Sequence, residues 1–330
     1  MKIHGSLLKE RKRSLLTDKS NKRISIIGIG ESDMDLFLKV DRMPGRGEKV
    51  RAKEIGKLPG GIIGNFCSQA VKMGVSCGIV TAVGKDDYGR FLKEDYKNRG
   101  IDITGLYEDE KENTFYCVVF LDGSGEKYLS AVVSPLTSPD IRRIDYDYVR
   151  QAEYVHICSM DHALAERTAQ ELAGSGTKLS LDYEVHAEKP GIDNWEHIFS
   201  RVSVLFTNEE GIYSLFPTEN METAARYLLS LGIETVVVTC AQKGGCVYQR
   251  GDSFHYEAFH PDEIRDTTGA GDSFNGTFLA CMAKGMTARW AAEYGAAAAS
   301  FVIQKEGART GQTDIKEIEA FLKGKFQEQG

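Results

Sequence analysis

The chain has 330 residues, 42% of them hydrophobic, and a formal net charge of −7 from 41 Lys and Arg against 48 Asp and Glu. That length buries a full core either as one large α/β domain or as two smaller ones. The acidic balance argues against a nucleic-acid partner, and no apolar stretch approaches the roughly 18 residues of a membrane span.

Residues 1–22 mix charges, with Lys9, Arg11, Lys12 and Arg13 close together. They contain no apolar core or small-residue cleavage site, so they read as a flexible arm and not as a secretory signal. Ile24–Ile29 is a short apolar run ending in Gly28-Ile-Gly30, the pattern of a buried strand. A dinucleotide site, and with it an oxidoreductase, is the alternative that Gly28-x-Gly30 suggests. Asp33 stands where the third glycine of that fingerprint belongs, and no helix follows at once. Between Leu36 and Leu58 the pattern changes to short extended pieces around Met43-Pro-Gly-Arg-Gly47. A hairpin follows at Thr114–Leu121 and Lys127–Val132. These insertions, at about 35–58 and 112–134, are expected to pair as a small β lid over one mouth of a domain spanning 23–325. A tail remains at 326–330.

The remainder alternates between helix and strand periods. Helix Asn65–Met73, strand Cys77–Val83 and helix Tyr88–Arg99 come first, the helices stopped by Gly74 and Gly100. Strand Tyr154–Cys158, helix Ala163–Ala173 and strands Lys178–Asp182 and Val202–Phe206 follow. Helix Met221–Leu231 and strand Thr235–Thr239 come next. Helices at Asp272–Lys284, Ala288–Gln304 and Asp314–Lys323 complete the chain. Such alternation predicts a three-layer α/β/α fold with a mainly parallel central sheet. Ligands of such sheets bind beyond the carboxyl ends of the strands. The seven cysteines form no CxxC pair, and an odd count without a framework points to reduced thiols in a cytoplasmic protein. His156 and His162 lack partners at metal-ligand spacing and are expected to serve packing.

Three local patterns carry chemistry. In Asp266-Thr-Thr-Gly-Ala-Gly-Asp272-Ser-Phe, small residues precede a helix whose first amides have no intrahelical partner. Gly269, Ala270 and Gly271 let a phosphate approach those amides, and Asp272 stands where an attacking hydroxyl loses its proton. A helix cap is the competing role for Asp272. Gly60-Gly61-Ile62-Ile63-Gly64-Asn65 opens another helix, either as a ligand loop or as a turn with a cap. Asp33 and Asp35 offer two acceptors for a vicinal diol, or form a solvated acidic turn.

Together these segments resemble the ribokinase-like, or PfkB, carbohydrate kinases from about Ile24 to Phe321. Thr81-Ala-Val-Gly84-Lys-Asp86-Asp-Tyr-Gly89 also looks like the family's strand–turn–helix. The resemblance implies a ribokinase-like fold and ATP-dependent phosphorylation of a hydroxyl on a sugar or sugar-like molecule. Asp272 would be the base and Gly269–Gly271 the anion hole. Asp33, Asp35, Gly60, Gly61 and Asn65 would contact substrate. Asn208, Thr239, Ala241 and Gly244 would line the ATP site. Mg2+ is implied, and Asp266 and Thr268 match positions that hold a monovalent cation such as K+ in relatives; bracing the loop is their alternative role. The family's Asn-x-x-Glu is broken, since Gly211 stands where the glutamate belongs, leaving Glu209 or Glu210 to serve the magnesium shell. The dipole of the helix predicts a lowered pKa for Asp272.

Ile62 and Ile63 replace the Lys that phosphosugar kinases tend to carry there, which disfavours a sugar phosphate and leaves a simple sugar or a nucleoside. Asp182-Tyr-Glu184-Val-His186 is expected to face the same cleft. A catalytically weak sugar-sensing protein on the same fold is the other alternative, supported by Gly211. The lid edges suggest a homodimer through the lid.

Overall fold

The computed structural model describes residues 24–123, 126–185, 191–217 and 219–328. The expected arm and His186 lie outside the described residues. The main sheet is built from β1 (Ile24–Ile29), β4 (Cys77–Val80), β9 (Ala152–Cys158), β10 (Lys178–Tyr183), β11 (Val202–Asn208), β12 (Thr235–Thr239), β13 (Gly245–Gln249) and β14 (Asp252–Tyr256). Its order is β14-β13-β12-β11-β10-β9-β1-β4. The six strands from β12 to β4 run parallel, while β13 and β14 are an antiparallel hairpin on the edge. Near-continuous burial along β4, β9 and β10 is what a sheet covered on both faces requires.

The helices that cover it are α1 (Ile62–Lys72), α2 (Asp87–Arg99), α3 (Tyr146–Val149), α4 (His162–Glu171), α5 (Glu196–Phe199), α6 (Glu209–Leu215), α7 (Met221–Ser230), α8 (Ala270–Ala283), α9 (Ala288–Val302) and α10 (Ile315–Glu328). Residues of α1, α8, α9 and α10, among them Phe66, Phe278, Ala297 and Ile318, share one core with one face of the sheet. Leu164, Phe199, Ile212 and Leu228, from α4 to α7, close the second core on the other face. The fold is therefore the expected three-layer α/β/α arrangement.

A second sheet, ordered β3-β2-β7-β8, is made by β2 (Asp33–Val40), β3 (Ala52–Gly60), β7 (Tyr116–Leu121) and β8 (Lys127–Val132). Here β2 pairs antiparallel with β3 and parallel with β7, joining the two insertions into one surface. Every residue of β8 is exposed.

Several boundaries differ from the sequence expectation. The single strand Cys77–Val83 is two, because Thr81 leaves the main sheet and its carbonyl takes the Tyr107 N–H at 3.1 Å. The second piece, β5 (Ala82–Gly84), pairs with β6 (Tyr107–Asp109). Helix α1 starts at Ile62 and not at Asn65, and α8 starts at Ala270 and not at Asp272. In both, a glycine with positive φ turns the chain into the helix earlier: Gly61 at 84° and Gly269 at 77°. No helix among the described residues is long and apolar enough to cross a membrane.

Candidate active site

Carboxyl ends of the parallel strands and the start of α8 converge at one mouth of the sheet. Asn208 and Thr239 are paired neighbours at the ends of β11 and β12, and Asp182 lies beside Cys158 at the ends of β10 and β9. Chain topology alone thus gathers Glu31–Asp35, Asp182–Glu184, Asn208, Thr239 and Asp272.

Asp272 lies in the first turn of α8, one turn inside the position of a cap, and the N-cap is Gly269. The capping alternative therefore falls away. Ala270 N–H is turned back to the Thr267 carbonyl at 3.3 Å, and Ser273 N–H bonds Gly269 O at 2.9 Å. Among the described residues, no carbonyl takes the amides of Gly271 and Asp272, and a Cβ built on exposed Gly271 would meet nothing within 4 Å. These amides stand in the first turn, at the positive end of the helix dipole, where an anion is favoured.

The Asp272 carboxylate accepts a hydrogen bond from Asn65 Nδ2 at 2.8 Å. Its pKa is pushed up to about 7, first by burial, with Glu184 and Glu31 adding repulsion while Asn65 and Arg309 oppose them. This corrects the lowered value expected from the helix dipole. Loss of water and two acidic neighbours outweigh the dipole here. A carboxylate tuned this way accepts a proton near neutral pH.

Opposite stands the Gly60-Gly61 loop. A Cβ on Gly61 would fall 2.6 Å from Ser32 Cα and 2.8 Å from Asp33 N, so only glycine lets this loop lie against the turn from β1 into β2. Asp33 and Asp35 project from the same face of β2 across from Cys117, and the ligating atoms of the three lie within 4.8 Å of one another. Burial, then Asp35 and Glu31, holds the Asp33 carboxyl well above the usual carboxylate range. Burial also lifts Asp35 to about 6, although Lys127 and Arg309 pull the other way. Asp33 Oδ1 is buried and has no hydrogen-bond partner. Glu31 is lifted to about 7 by burial and by Glu184. The pocket is thus rich in acceptors and in negative charge. Ile63 is fully buried in the core, so of the two isoleucines only half-buried Ile62 is left to form a wall.

On the other side, Asn208 Oδ1 accepts the Gly211 N–H at 2.7 Å and so caps α6. A Cβ at 211 would land on Thr207 Oγ1, which donates to Tyr183 O at 2.9 Å. The missing glutamate thus has a packing reason. Glu209 Oε1 lies 3.5 Å from Lys243 Nζ, and Glu210 is exposed. Thr239 Oγ1 donates to Thr207 O at 3.4 Å. Ala241 holds a positive φ of 47° at the start of a tight turn that returns through buried Gly244. Asp266 accepts from Thr268 N–H and hydroxyl at 3.0 and 2.6 Å and from Gly307 N–H at 3.0 Å.

Four participants were not singled out from the sequence: Glu31, Cys117, Lys127 and Arg309. Lys127, on β8, reaches Asp266 at 3.2 Å and the Thr268 hydroxyl at 2.8 Å. Arg309 bonds Asn65 from behind at 2.8 Å. The run Gly307-Ala-Arg309-Thr-Gly311 was the available signal for Arg309, but its partners are remote in sequence. His156 is no ligand: buried against Phe66 at 3.8 Å and bonded to Ser180 Oγ at 2.9 Å, it has its pKa pushed down to about 3 by burial.

The family model for pfkB family carbohydrate kinases matches residues 23–315. The chain belongs to the pfkB family of carbohydrate kinases. It is 25% identical over 305 residues to an ATP-dependent ribose-1-phosphate kinase of Halopiger xanaduensis, covering 92% of this chain and 99% of that one. It is also 24% identical to a nucleoside kinase of Methanothermobacter thermautotrophicus, covering 88% and 93%. The solved ribokinase of Thermotoga maritima superposes with a TM-score of 0.79 at 27% identity, covering 91% of this chain and 99% of that one. The names of these similar kinases thus include a sugar phosphate as well as a nucleoside.

Proposed function

We propose that this carbohydrate kinase moves the γ-phosphoryl group of ATP to a hydroxyl of an uncharged sugar or nucleoside, with Asp272 as the base. One observation carries the reading: a carboxylate raised to about 7 stands in the same helical turn as two amides that no described carbonyl takes. The γ-phosphate rests on the amides of Gly271 and Asp272, one residue further along than the expected Gly269–Gly271 set, because the Ala270 N–H is taken by the Thr267 carbonyl. Asp33, Asp35 and the Gly60-Gly61 loop hold the alcohol, with Asn65 behind them. Asp272 takes the hydroxyl proton as the new P–O bond forms and the bond from the γ-phosphorus to the bridging oxygen breaks, with ADP as the leaving group. Phosphoryl transfer has a loose transition state, so positioning and charge neutralisation contribute more than a strong base does. Thr239 and the Ala241–Gly244 turn border the nucleotide.

Hard oxygen donors at the strand ends fit Mg2+. Glu209, helped by Glu184 just beyond the end of β10, is the carboxylate that would hold its water shell, while Glu210 is exposed. Magnesium supplies charge neutralisation on the phosphates. A potassium ion fits Asp266 and Thr268 less well, because Lys127 already occupies both. The crowd of carboxyls disfavours a sugar phosphate or a sugar acid, since their charges would be desolvated beside like charges. A weak sensor gains nothing from Gly211, whose glycine answers to Thr207. Ile55 on β3 and Tyr128, Leu129 and Val132 on β8 are exposed apolar groups on the lid, which supports a homodimer through that sheet; a monomer in light scattering would refute it.

The test is an ATP-consumption screen over neutral sugars, nucleosides, sugar acids and sugar phosphates. The reading expects turnover with a neutral alcohol. Turnover confined to phosphorylated or acidic substrates would overturn the substrate class, and none with any alcohol would overturn the activity. Asp272→Asn is expected to lower kcat by on the order of 10²–10⁴ while ATP still binds.

A further inference from the structure

Arg309 lies in the loop between α9 and α10 and is only 4% exposed. Each nitrogen of its guanidinium has a partner on a different element. Nε donates to Asn65 Oδ1 at 2.8 Å, one terminal nitrogen donates to Asp95 Oδ2 at 2.7 Å, and the other donates to the Gly60 carbonyl. Asp95 is itself fixed by Arg99 Nε at 2.8 and 2.9 Å. The Tyr96 ring lies 5.3 Å from the guanidinium carbon. The cation is therefore held from α2, while it holds the substrate loop and the first turn of α1.

An asparagine amide has two orientations that exchange its oxygen and nitrogen. Only one is compatible with a guanidinium, which donates and never accepts. With Oδ1 held on Arg309, Nδ2 has to point the other way, and it meets Asp272 Oδ2 at 2.8 Å. Turning the amide over would set NH2 against the Arg309 N–H and a carbonyl oxygen against a carboxylate. Both contacts would then be repulsive.

We propose that Arg309 is a positioning residue for phosphoryl transfer: it locks the Asn65 amide so that Asn65 donates to the Asp272 carboxylate and fixes its orientation toward the attacking hydroxyl. This rests on Asp272 as the base. Arg309 touches neither phosphate nor alcohol in this role. It acts through one amide, and through its bond to Gly60 O it keeps the substrate loop in register with that amide. Its charge and the Asn65 hydrogen bond both favour ionised Asp272, so removing Arg309 raises the pH at which the base becomes available.

The test compares kcat–pH profiles, alcohol KM and thermal melts for the wild type, Arg309→Met, Arg309→Lys, Asn65→Ala and the Met/Ala double variant. In Arg309→Met the acidic limb of kcat is expected to move up by about one pH unit, so that the loss is about tenfold below pH 7 and smaller at pH 9. The KM should change by less. In the Asn65→Ala background the same substitution should cost far less, because the relay is already cut. If Arg309→Met does not fold, Arg309→Lys carries the test: it keeps a buried cation but lacks the fork, and an intermediate shift is expected. An unmoved limb in the folded variants, or full additivity of Arg309→Met and Asn65→Ala, would overturn the proposal. If Asp272→Asn keeps wild-type activity, the base assignment and this proposal fall together. An Asp272-dependent limb that Arg309 does not move leaves the base standing and removes only the relay.

Discussion

Ionisation of one carboxylate depends on a handful of polar neighbours. Asp272 is raised to about 7 by burial and by Glu184 and Glu31, and held down by Asn65 and Arg309. A base works only when ionised, so kcat is expected to climb with pH, reach half its plateau near pH 7 and level off above it. A limb near pH 4 would mean that the helix dipole, and not burial, sets the group. At Gly211 steric contact decides. Gly211→Ala drives a methyl into Thr207 Oγ1 and is expected to cost about 1–3 kcal/mol, read as a lower denaturant midpoint at unchanged slope. Asp272 and the Gly60-Gly61 loop were legible in the sequence because glycines and an acid lie next to each other there. Arg309 was not, since its contact with Asn65 spans 244 positions and no periodicity announces it. The direction of the Asp272 shift was misread for the same reason: its burial, and after that the approach of Glu184 and Glu31, arise only through the fold.

Among the elements, the Lys127 side chain ties the second sheet to the loop that leads into α8. Lys127 on β8 bonds both Asp266 oxygens and the Thr268 hydroxyl, a residue before Gly269. Lys127 thereby couples the second sheet to that loop. Lys127→Met is expected to raise the alcohol KM and to make activity respond to added K+, because Asp266 and Thr268 are then free to hold a small cation. A salt response identical to that of the wild type, measured at constant ionic strength, would show that Lys127 does not stand in for such an ion. Alternation of apolar strands with amphipathic helices made the parallel sheet legible. The edge hairpin β13–β14 was not read from the sequence: it packs as the sheet's rim, and only Arg250-Gly251 marks its turn. Helix starts were misplaced at α1 and α8 because the turn into each is set by glycine geometry and not by a polar cap.

Over the whole molecule, the acidic mouth affects stability as well as chemistry. Glu31 and Asp272 at about 7 and Asp35 at about 6 all sit above their unfolded values, and Asp33 is raised further. Between about pH 4 and 7 the folded state therefore binds more protons than the unfolded chain. Stability is then greatest at the acidic end of that window and falls as pH rises through it. Buried His156, pushed down to about 3 from 6.5, opposes the trend between those values but is one group against four, and the lowered carboxyls Asp86 and Asp266 act below pH 4. Melting temperature should thus be higher at pH 5.5 than at pH 8 in the absence of ligands, and a rise over that interval would contradict the pocket's electrostatics. The measurement that bears most directly on phosphoryl transfer by Asp272 uses γ-labelled ATP with each neutral sugar and nucleoside. Label transfer to the alcohol is followed for the wild type and for Asp272→Asn, under conditions where calorimetry shows both bind ATP. Labelled alcohol with the wild type and at least a hundredfold less with the variant is the expected result. Equal transfer by the two proteins, or none to any alcohol by the wild type, would contradict it.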